Sequence, residues 1–405
     1  LLWQLFREMV MQKKLLPQYH RDMAVLPMYF DMSRHGMRLS PKIGALLHRW
    51  EGETGEAKRA LEEKAGIRNL DSADELRQAV YGKWKLKPPG YTAKGVASVD
   101  KECMQRLAAR KSRHREFFVS LLNYRTQKTA LKYVHSYLKL TDSEGVLHPG
   151  VNPTGTHTTR TSSSTPNGQN VAKHSDFPTR QFFVPREGYE LWAMDYDQLE
   201  VRLFAWASQD ETLMAELSRE GGDVHAKTAG IFGVERKIAK GINFGWLYGA
   251  GNKKLGKLTG VSADEFVEGM KSTYPEAVAF MQKQDRTGRR VGYVQTLFGT
   301  PLWIDQGKTY SATNYTIQGS AGDVMKIGLI RVWDYLRRTE LDQCIHPLIL
   351  VHDELVFEVQ KGTPRKHLRE VKECLEYPGE LLGWPLPVDA EKSRKSWGEM
   401  KEVKF

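Results

Sequence analysis

Cysteine is nearly absent: Cys103, Cys344 and Cys374 are the only three in 405 residues. They are too few and too scattered for a disulfide framework or a zinc cluster, which points to a reducing, cytoplasmic setting. Long apolar runs are missing as well. Leu348–Val351 stops within a strand's length, far short of the ~18 residues of a membrane span. A secretory leader is not expected here, because the start Leu1-Leu2-Trp3-Gln4-Leu5-Phe6-Arg7-Glu8 is amphipathic and carries an acidic residue, unlike a signal peptide. An initiator Met is lacking, so the chain is expected to be processed or cut from a longer one. No repeat of solenoid period is present. Acidic excess is absent too: 60 Lys+Arg face 49 Asp+Glu, a net charge of +11, which favours an anionic partner. What remains is ordinary globular composition, 40% hydrophobic and 27% charged, which excludes wholesale disorder and collagen-like repeats. At roughly 100–200 residues per domain the chain holds two to four lobes.

The first 150 residues read mainly as helix. Apolar positions recur through Met23, Leu26, Met28 and Tyr29, and again through Leu76 and Val80 after the start signal Asp71-Ser72. A further helical stretch runs from Lys101 to Leu140 and carries Arg106, Arg110, Lys111, Arg113, Arg115, Arg125, Lys128 and Lys132. Those cations suit either a solvated helix face or a surface that tracks phosphates. The break Lys87-Pro88-Pro89-Gly90-Tyr91 precedes it. From Gly150 to Arg180 the composition turns to hydroxyls and amides, as in Thr158–Asn170. This is a linker by composition, but its amides and Arg160 are also groups that read a minor groove. A strand, Glu190–Asp195, follows. Helices are expected through 206–290, short strands around Val291–Phe298, and a hairpin over His346–Val359.

Two constellations carry chemistry. Asp195 ends an apolar strand and Asp353 interrupts a run of Leu, Ile and Val. A lone buried carboxylate costs several kcal/mol unless it is paired or holds a cation. Each could be a turn or cap residue; together they suggest a hard-cation site, with ions ~4 Å apart clamping an in-line displacement. The second constellation is Arg236, Lys240, Phe244 and Tyr248, which recur every four residues and so share one drifting helix face. Two cations followed by two rings suit a nucleotide, although an amphipathic helix with an aromatic core stripe would look similar. Gly241, Gly245 and Gly249 cost a helix ~1 kcal/mol each, which close approach of another body would explain.

With these residues in place, the chain from about Asp22 to Trp397 resembles the polymerase core of the family A, DNA polymerase I type, enzymes. The first palm motif, Asp-Tyr-Ser-Gln-Ile-Glu-Leu-Arg, is similar to Asp195-Tyr196-Asp197-Gln198-Leu199-Glu200-Val201-Arg202. The fingers motif Arg-x3-Lys-x3-Phe-x3-Tyr-Gly is the helix above, and Val-His-Asp-Glu is Val351–Glu354. Weaker matches, Gly222-Asp223-Val224-His225, Gly292-Tyr293-Val294 and Asn314-x3-Gln318-Gly319 with Asp323, fall in the same order.

The resemblance implies an α+β right hand: an antiparallel-sheet palm from 1–40, 150–205 and 306–405, a helical thumb at 41–149, and helical fingers at 206–305. It implies a monomeric, DNA-templated DNA polymerase with primer–template DNA and dNTPs as partners. Two Mg²⁺ ions, replaceable by Mn²⁺, would be held by Asp195, Asp353 and the backbone of Tyr196, with Glu354 in support. Arg236 and Lys240 would bind the triphosphate, Lys240 also as a proton donor, with His225 and Gln198 helping. Glu200 would reject ribonucleotides, Phe244 pack on the sugar and Tyr248 stack at the templating position. Arg160, Asn167, Gln169, Arg202, Asn314, Gln318 and His352 would contact DNA. A 3′–5′ exonuclease is not expected in this chain, and the compact, degenerate loops point to a viral form.

Departures fall mostly in the duplex grip. Thr159 and Thr161 replace Gly and Leu around Arg160, and a β-branched Thr159 disfavours positive φ, which predicts a different loop path. Gly168 replaces a Leu, Asp197 a Ser, Gly299-Thr300-Pro301 an arginine-rich run, Tyr310 an Arg and Leu350 a Gln. These losses predict altered mismatch sensing. A single-subunit RNA polymerase would not keep Glu200 as a 2′ block; a two-metal nuclease would need neither Glu200 nor the Arg236/Lys240 face; and a non-catalytic relic would have lost Asp195 or Asp353.

Overall fold

The computed structural model describes residues 4, 7–8, 10–11, 15–171, 177–219 and 221–405; most of the amphipathic start at 1–8 lies outside them. The helices used below are α1 (Leu16–His35), α2 (Ile43–Ala65), α3 (Arg115–Leu140), α4 (Leu199–Ser208), α5 (Arg236–Leu247), α6 (Pro275–Val291), α7 (Ala312–Arg338) and α8 (Arg365–Leu382). The strands of the main sheet are β1 (Tyr189–Tyr196), β2 (Ile345–Val351), β3 (Glu354–Gln360), β4 (Val388–Ser393) and β5 (Lys401–Glu402). They lie in the order β5-β4-β1-β3-β2, antiparallel throughout. The architecture is α+β, as expected.

Strand β1 is apolar almost without alternation because both of its faces are covered. Trp192, Met194 and Tyr196 join the layer built with Leu329 of α7 and Leu375 of α8. Leu191 and Ala193, on the opposite face by the two-residue period of a strand, join Phe183, Val356 and Trp397. Helix α8 meets the sheet through Leu368, Val371 and Leu375, spaced by a helix turn.

A separate apolar cluster, Leu61 to Tyr124, fills the helical insert. Its expected Lys101–Leu140 helix is two helices, Lys101–Ala108 and α3, broken across Ala109–His114. The reason is local: Arg110, Lys111, Ser112 and Arg113 leave nothing to bury at helical spacing. Arg110 instead donates to the Lys87 carbonyl at 3.0 Å, and His114 stacks on Trp84 at 4.1 Å. Ser72 caps its helix as predicted, by accepting from the Glu75 N–H at 3.3 Å, but the coil widens to a π-helix over Gln78–Lys83. Of the short strands expected around 291–298, one is Tyr293–Gln295; its antiparallel partner, Pro301–Trp303, lies just beyond that range.

The N-terminal helix is riveted to α7 by ions: Lys326 donates to Asp22 at 2.6 Å, and Arg21 pairs with Asp323 while donating to Thr300 at 3.1 Å. Arg21 thus supplies a guanidinium to the Gly299–Pro301 turn, where the arginine run is missing.

At the far end of β2, the His346 ring lies 4.0 Å from that of His35. Burial first, and then the neighbouring His35, push its imidazole down to about 4. The unfolded chain therefore binds this proton more readily, so stability falls as pH drops from about 6.5 towards 4, by roughly 3 kcal/mol in all. Urea titrations at pH 4.5 and 7 should show a smaller acid loss for His346→Phe than for the parent; equal losses would remove this assignment.

Candidate active site

The sheet register brings the two aspartates together. Asp195 near the end of β1 is the Cα partner of Glu354, and Val351 closes the β2–β3 hairpin on the same residue. The two-residue turn His352-Asp353 therefore sits beside the end of β1, where the Tyr196 N–H donates to the Asp353 carbonyl at 3.3 Å. His352 holds φ at 56°, a conformation costly for a non-glycine residue and concentrated at functional sites. Burial, followed by the repulsion of Glu200 and Asp195, pushes the Asp353 carboxyl up to about 6 despite the opposing pull of Arg160.

Helix α5 forms as predicted, with Tyr248 just past its end. Ala239, Ile242, Asn243 and Trp246 are buried, which leaves Arg236 and Lys240 exposed and Phe244 and Tyr248 half-buried on the other side. The cations of the stripe face solvent, while its two rings pack against the edge of the main core. Two of the three glycines answer to the chain itself. Gly249 has φ +75° and a Cβ there would lie 2.7 Å from the Tyr310 carbonyl; one at Gly245 would lie 3.0 Å from Leu255. A side chain at Gly241 would meet nothing within 4 Å.

Between helix and hairpin lies a closed polar chain. The Tyr248 hydroxyl donates to Glu200, Glu200 pairs with Arg160, and Arg160 reaches Asp353 at 3.5 Å. The Gln318 side chain lies close to the Tyr248 hydroxyl. Glu200, on the first turn of α4, is only 5% exposed, so the charges around it are strongly felt. His225 is buried beside Phe244, with ring centroids 5.8 Å apart and its Nδ1 3.0 Å from the Asn243 amide nitrogen. Burial, with Arg236 and Lys240 nearby, holds its imidazole below the usual range, so it is neutral. Arg236 pairs with Asp223.

A cleft of about 180 Å³ opens next to Asp353, lined by Arg160, Thr161, Gln169, Leu350 and His352 among others. Its loop corrects one expectation. Thr159 does adopt positive φ, 58°, at the cost of a buried hydroxyl without a hydrogen-bond partner. The loop is held by Tyr29, 2.7 Å from the Thr161 hydroxyl, and by Gln169, donating to the Thr161 carbonyl at 3.1 Å. Asn167 accepts from the Gln169 N–H at 2.9 Å. Where Gly168 omits a leucine side chain, Ile349 fills the space: a Cβ there would lie 2.3 Å from its Cδ1. Asn314 and Gln318 lie on α7.

Other placements differ from a simple ring of contacts. Gln198, at φ 50°, faces Asp197 at 3.3 Å. Arg202 donates to the Asp197 carbonyl at 3.0 Å, the Leu217 carbonyl at 3.2 Å and the Asp197 carboxylate at 2.9 Å, so the extra charge of Asp197 is matched locally. Glu354 is 2% exposed and engaged by Arg180. Sequence reading missed Arg180 and Trp397, since an isolated Arg in a polar stretch carries no periodic signal.

The family profile described as DNA polymerase family A matches residues 41–399. Thermostable DNA polymerase I of Thermus filiformis is 33% identical over 402 residues, covering 92% of this chain and 47% of that protein. The DNA polymerase of Mycobacterium phage D29 is 28% identical, covering 95% of this chain and 63% of that one. Among solved structures, the POL domain of Pol1 from M. smegmatis, in complex with DNA primer–template and dNTP, superimposes with a TM-score of 0.84 at 25% identity, over 93% of this chain and 70% of its own. The chain spans about half the length of the first Thermus relative. Among the described residues no helix is long and apolar enough to cross a membrane. On the extent of the profile match, the chain belongs to DNA polymerase family A.

Proposed function

We propose that the protein is a cytoplasmic, monomeric DNA-templated DNA polymerase that extends a primer 3′-hydroxyl with dNTPs and releases pyrophosphate. The observation that carries this reading is Asp353 on the wall of the cleft, with Asp195 beside it in the sheet register and Arg160 linking it to buried Glu200 and so to Tyr248, at the end of the helix that carries Arg236 and Lys240. Its similarity to the DNA polymerases of Thermus filiformis and Mycobacterium phage D29, and to a POL domain bound to primer–template and dNTP, supports the same reading. We assign 1–40, 150–205 and 306–405 to the palm, 41–149 to the thumb and 206–305 to the fingers.

The donor set fits a hard cation. Two carboxylates near each other, one of them desolvated until its proton is hard to lose, and the neighbouring backbone of Tyr196 are oxygen donors of the kind Mg²⁺ shares with substrate phosphates. Bound there, two Mg²⁺ or Mn²⁺ ions would supply charge to the attacking and leaving oxygens. The remaining work is positioning. Arg236 and Lys240 hold the triphosphate, with Lys240 delivering a proton to the leaving pyrophosphate, and neutral His225 and Gln198 brace it. Phe244 packs on the sugar, Glu200 closes the 2′ side, and Tyr248 waits at the templating position. Arg160, Asn167, Gln169, Asn314, Gln318 and His352 line the duplex end, while Arg202 stands behind them on Asp197. Leu350 on the cleft wall replaces a hydrogen-bonding side chain by an apolar one, which supports altered mismatch sensing.

Primer extension on a DNA template should proceed with dNTPs and Mg²⁺, with rNTPs disfavoured by at least about a hundredfold. Preference for rNTPs would convert the reading to an RNA polymerase, and degradation without extension to a nuclease.

A further inference from the structure

Glu354 follows Asp353 in the chain and faces Asp195 across the β1–β3 ladder, so it is a further carboxylate beside the centre. Its two oxygens are both engaged. Arg180 Nη1 donates to Oε1 at 2.9 Å, Arg180 Nη2 lies 2.7 Å from Oε2, and Trp397 Nε1 donates to Oε1 at 3.4 Å. A guanidinium fork fixes a carboxylate in plane as well as in place. Arg180 is fixed in turn. It is 5% exposed, its guanidinium lies 4.0 Å from the centre of the Trp397 ring, and its Nε donates to the Val171 carbonyl at 3.5 Å. Val171 directly follows the short helix Gly168–Asn170 of the primer-side loop. One buried cation therefore joins that loop, the catalytic hairpin and the Trp397 segment, none of which is adjacent to the others in sequence.

We propose that Arg180 is a positioning residue of the polymerase reaction, an inference that rests on the reading above. It acts through Glu354. Held by the fork, Glu354 keeps away from the cations at Asp195 and Asp353, and β3 holds the turn carrying Asp353 at its height beside β1. Released, the same side chain is a third anion with the reach to turn towards the cation site, where it would compete with substrate phosphate oxygens for coordination. Arg180 also matches the charge of Glu354, as Arg160 matches that of Glu200, which leaves Asp195 and Asp353 as the pair for the cations.

The test uses Arg180→Met, Arg180→Lys, Glu354→Gln and the Arg180→Met/Glu354→Gln pair in the full chain. Three quantities are measured: primer–template affinity by anisotropy, kcat and KM for dNTP, and Mn²⁺ binding by electron paramagnetic resonance on a complex whose primer lacks its 3′-hydroxyl. Arg180→Met should change Mn²⁺ affinity and lower kcat by about 10- to 100-fold, the usual range for a group supporting a metal ligand. Primer–template affinity should stay within about threefold, because Arg180 is buried and offers the duplex almost no surface of its own. Adding Glu354→Gln should recover at least about tenfold of the kcat loss, since it removes the freed anion. Arg180→Lys should fall between, restoring charge without the fork. Unchanged Mn²⁺ binding in Arg180→Met, or a double variant no better than the single, would overturn the inference and leave a purely structural ion pair. If Arg180→Met does not fold, Glu354→Gln alone decides: a loss below about tenfold supports the role, and a loss as deep as that of Asp353→Ala overturns it by making Glu354 a ligand. Retained activity in Asp353→Ala would instead refute the polymerase reading itself.

Discussion

Asp353→Ala should lower single-turnover dNTP incorporation by at least about 10³-fold while primer–template affinity changes little. The carboxylate stands at a hairpin turn beside the end of β1, whereas the proposed duplex contacts lie mainly on the loop around Arg160 and on α7. Rapid-quench incorporation and fluorescence anisotropy measure the two quantities separately; incorporation within tenfold of the parent would sink the assigned role. Stability should move the other way. Burial raises the Asp353 carboxyl to about 6, so the folded state holds this proton where the unfolded chain has lost it. Its ionisation then costs stability as pH rises from about 4 to 6, and at neutral pH the alanine variant should be more stable, by up to about 2 kcal/mol. The pair of effects is the signature of a residue kept for reaction at the expense of the fold, and thermal unfolding without divalent ions reads the second.

Glu200→Ala should reduce discrimination between dNTPs and rNTPs by about a hundredfold. Exclusion of a hydroxyl requires a rigid wall, and Glu200 is rigid: it is 5% exposed and held by Arg160 on one side and the Tyr248 hydroxyl on the other. Removing it opens the space and also frees both partners, so kcat/KM for dNTPs should fall by about tenfold as well. The ratio of kcat/KM for paired nucleotides on one template is the measurement. An unchanged ratio would mean that the 2′ side is closed by another group, such as Phe244. Glu200→Gln keeps the shape and should retain most of the discrimination, which separates bulk from charge.

Much of this candidate site is legible in the sequence. Asp195, Asp353 and the Arg236–Tyr248 face could be read because each breaks a local rule: a charge ends a dry strand, or cations and rings share one face of a helix that pays for glycines. The hairpin over 346–359 was readable from its apolar runs alone. Elsewhere the sequence misled or was silent, for physical reasons. Thr159 adopts the left-handed conformation because the loop around it is tied down by Tyr29 and Gln169, and tertiary contacts outweigh a residue's own preference. The break after Ala108 was hidden by good helix formers whose cations had nothing to bury against. Arg180 and Trp397 could not be found at all, since their value lies in a meeting of residues 180, 354 and 397 that no spacing announces. The replacement of a leucine by Gly168 looked like a loss, yet Ile349 from the neighbouring strand restores the volume.

The ion pairs of α1 carry a practical meaning for anyone who shortens this protein. Lys326 is 1% exposed and Asp323 is equally enclosed, and their countercharges come from Asp22 and Arg21. Cutting away the first helix would therefore strip no catalytic group, yet it would strand an ammonium and a carboxylate inside α7, the helix that presents Asn314 and Gln318. A minimal catalytic fragment is thus bounded by electrostatics rather than by the catalytic motifs, and its upstream limit lies before Arg21.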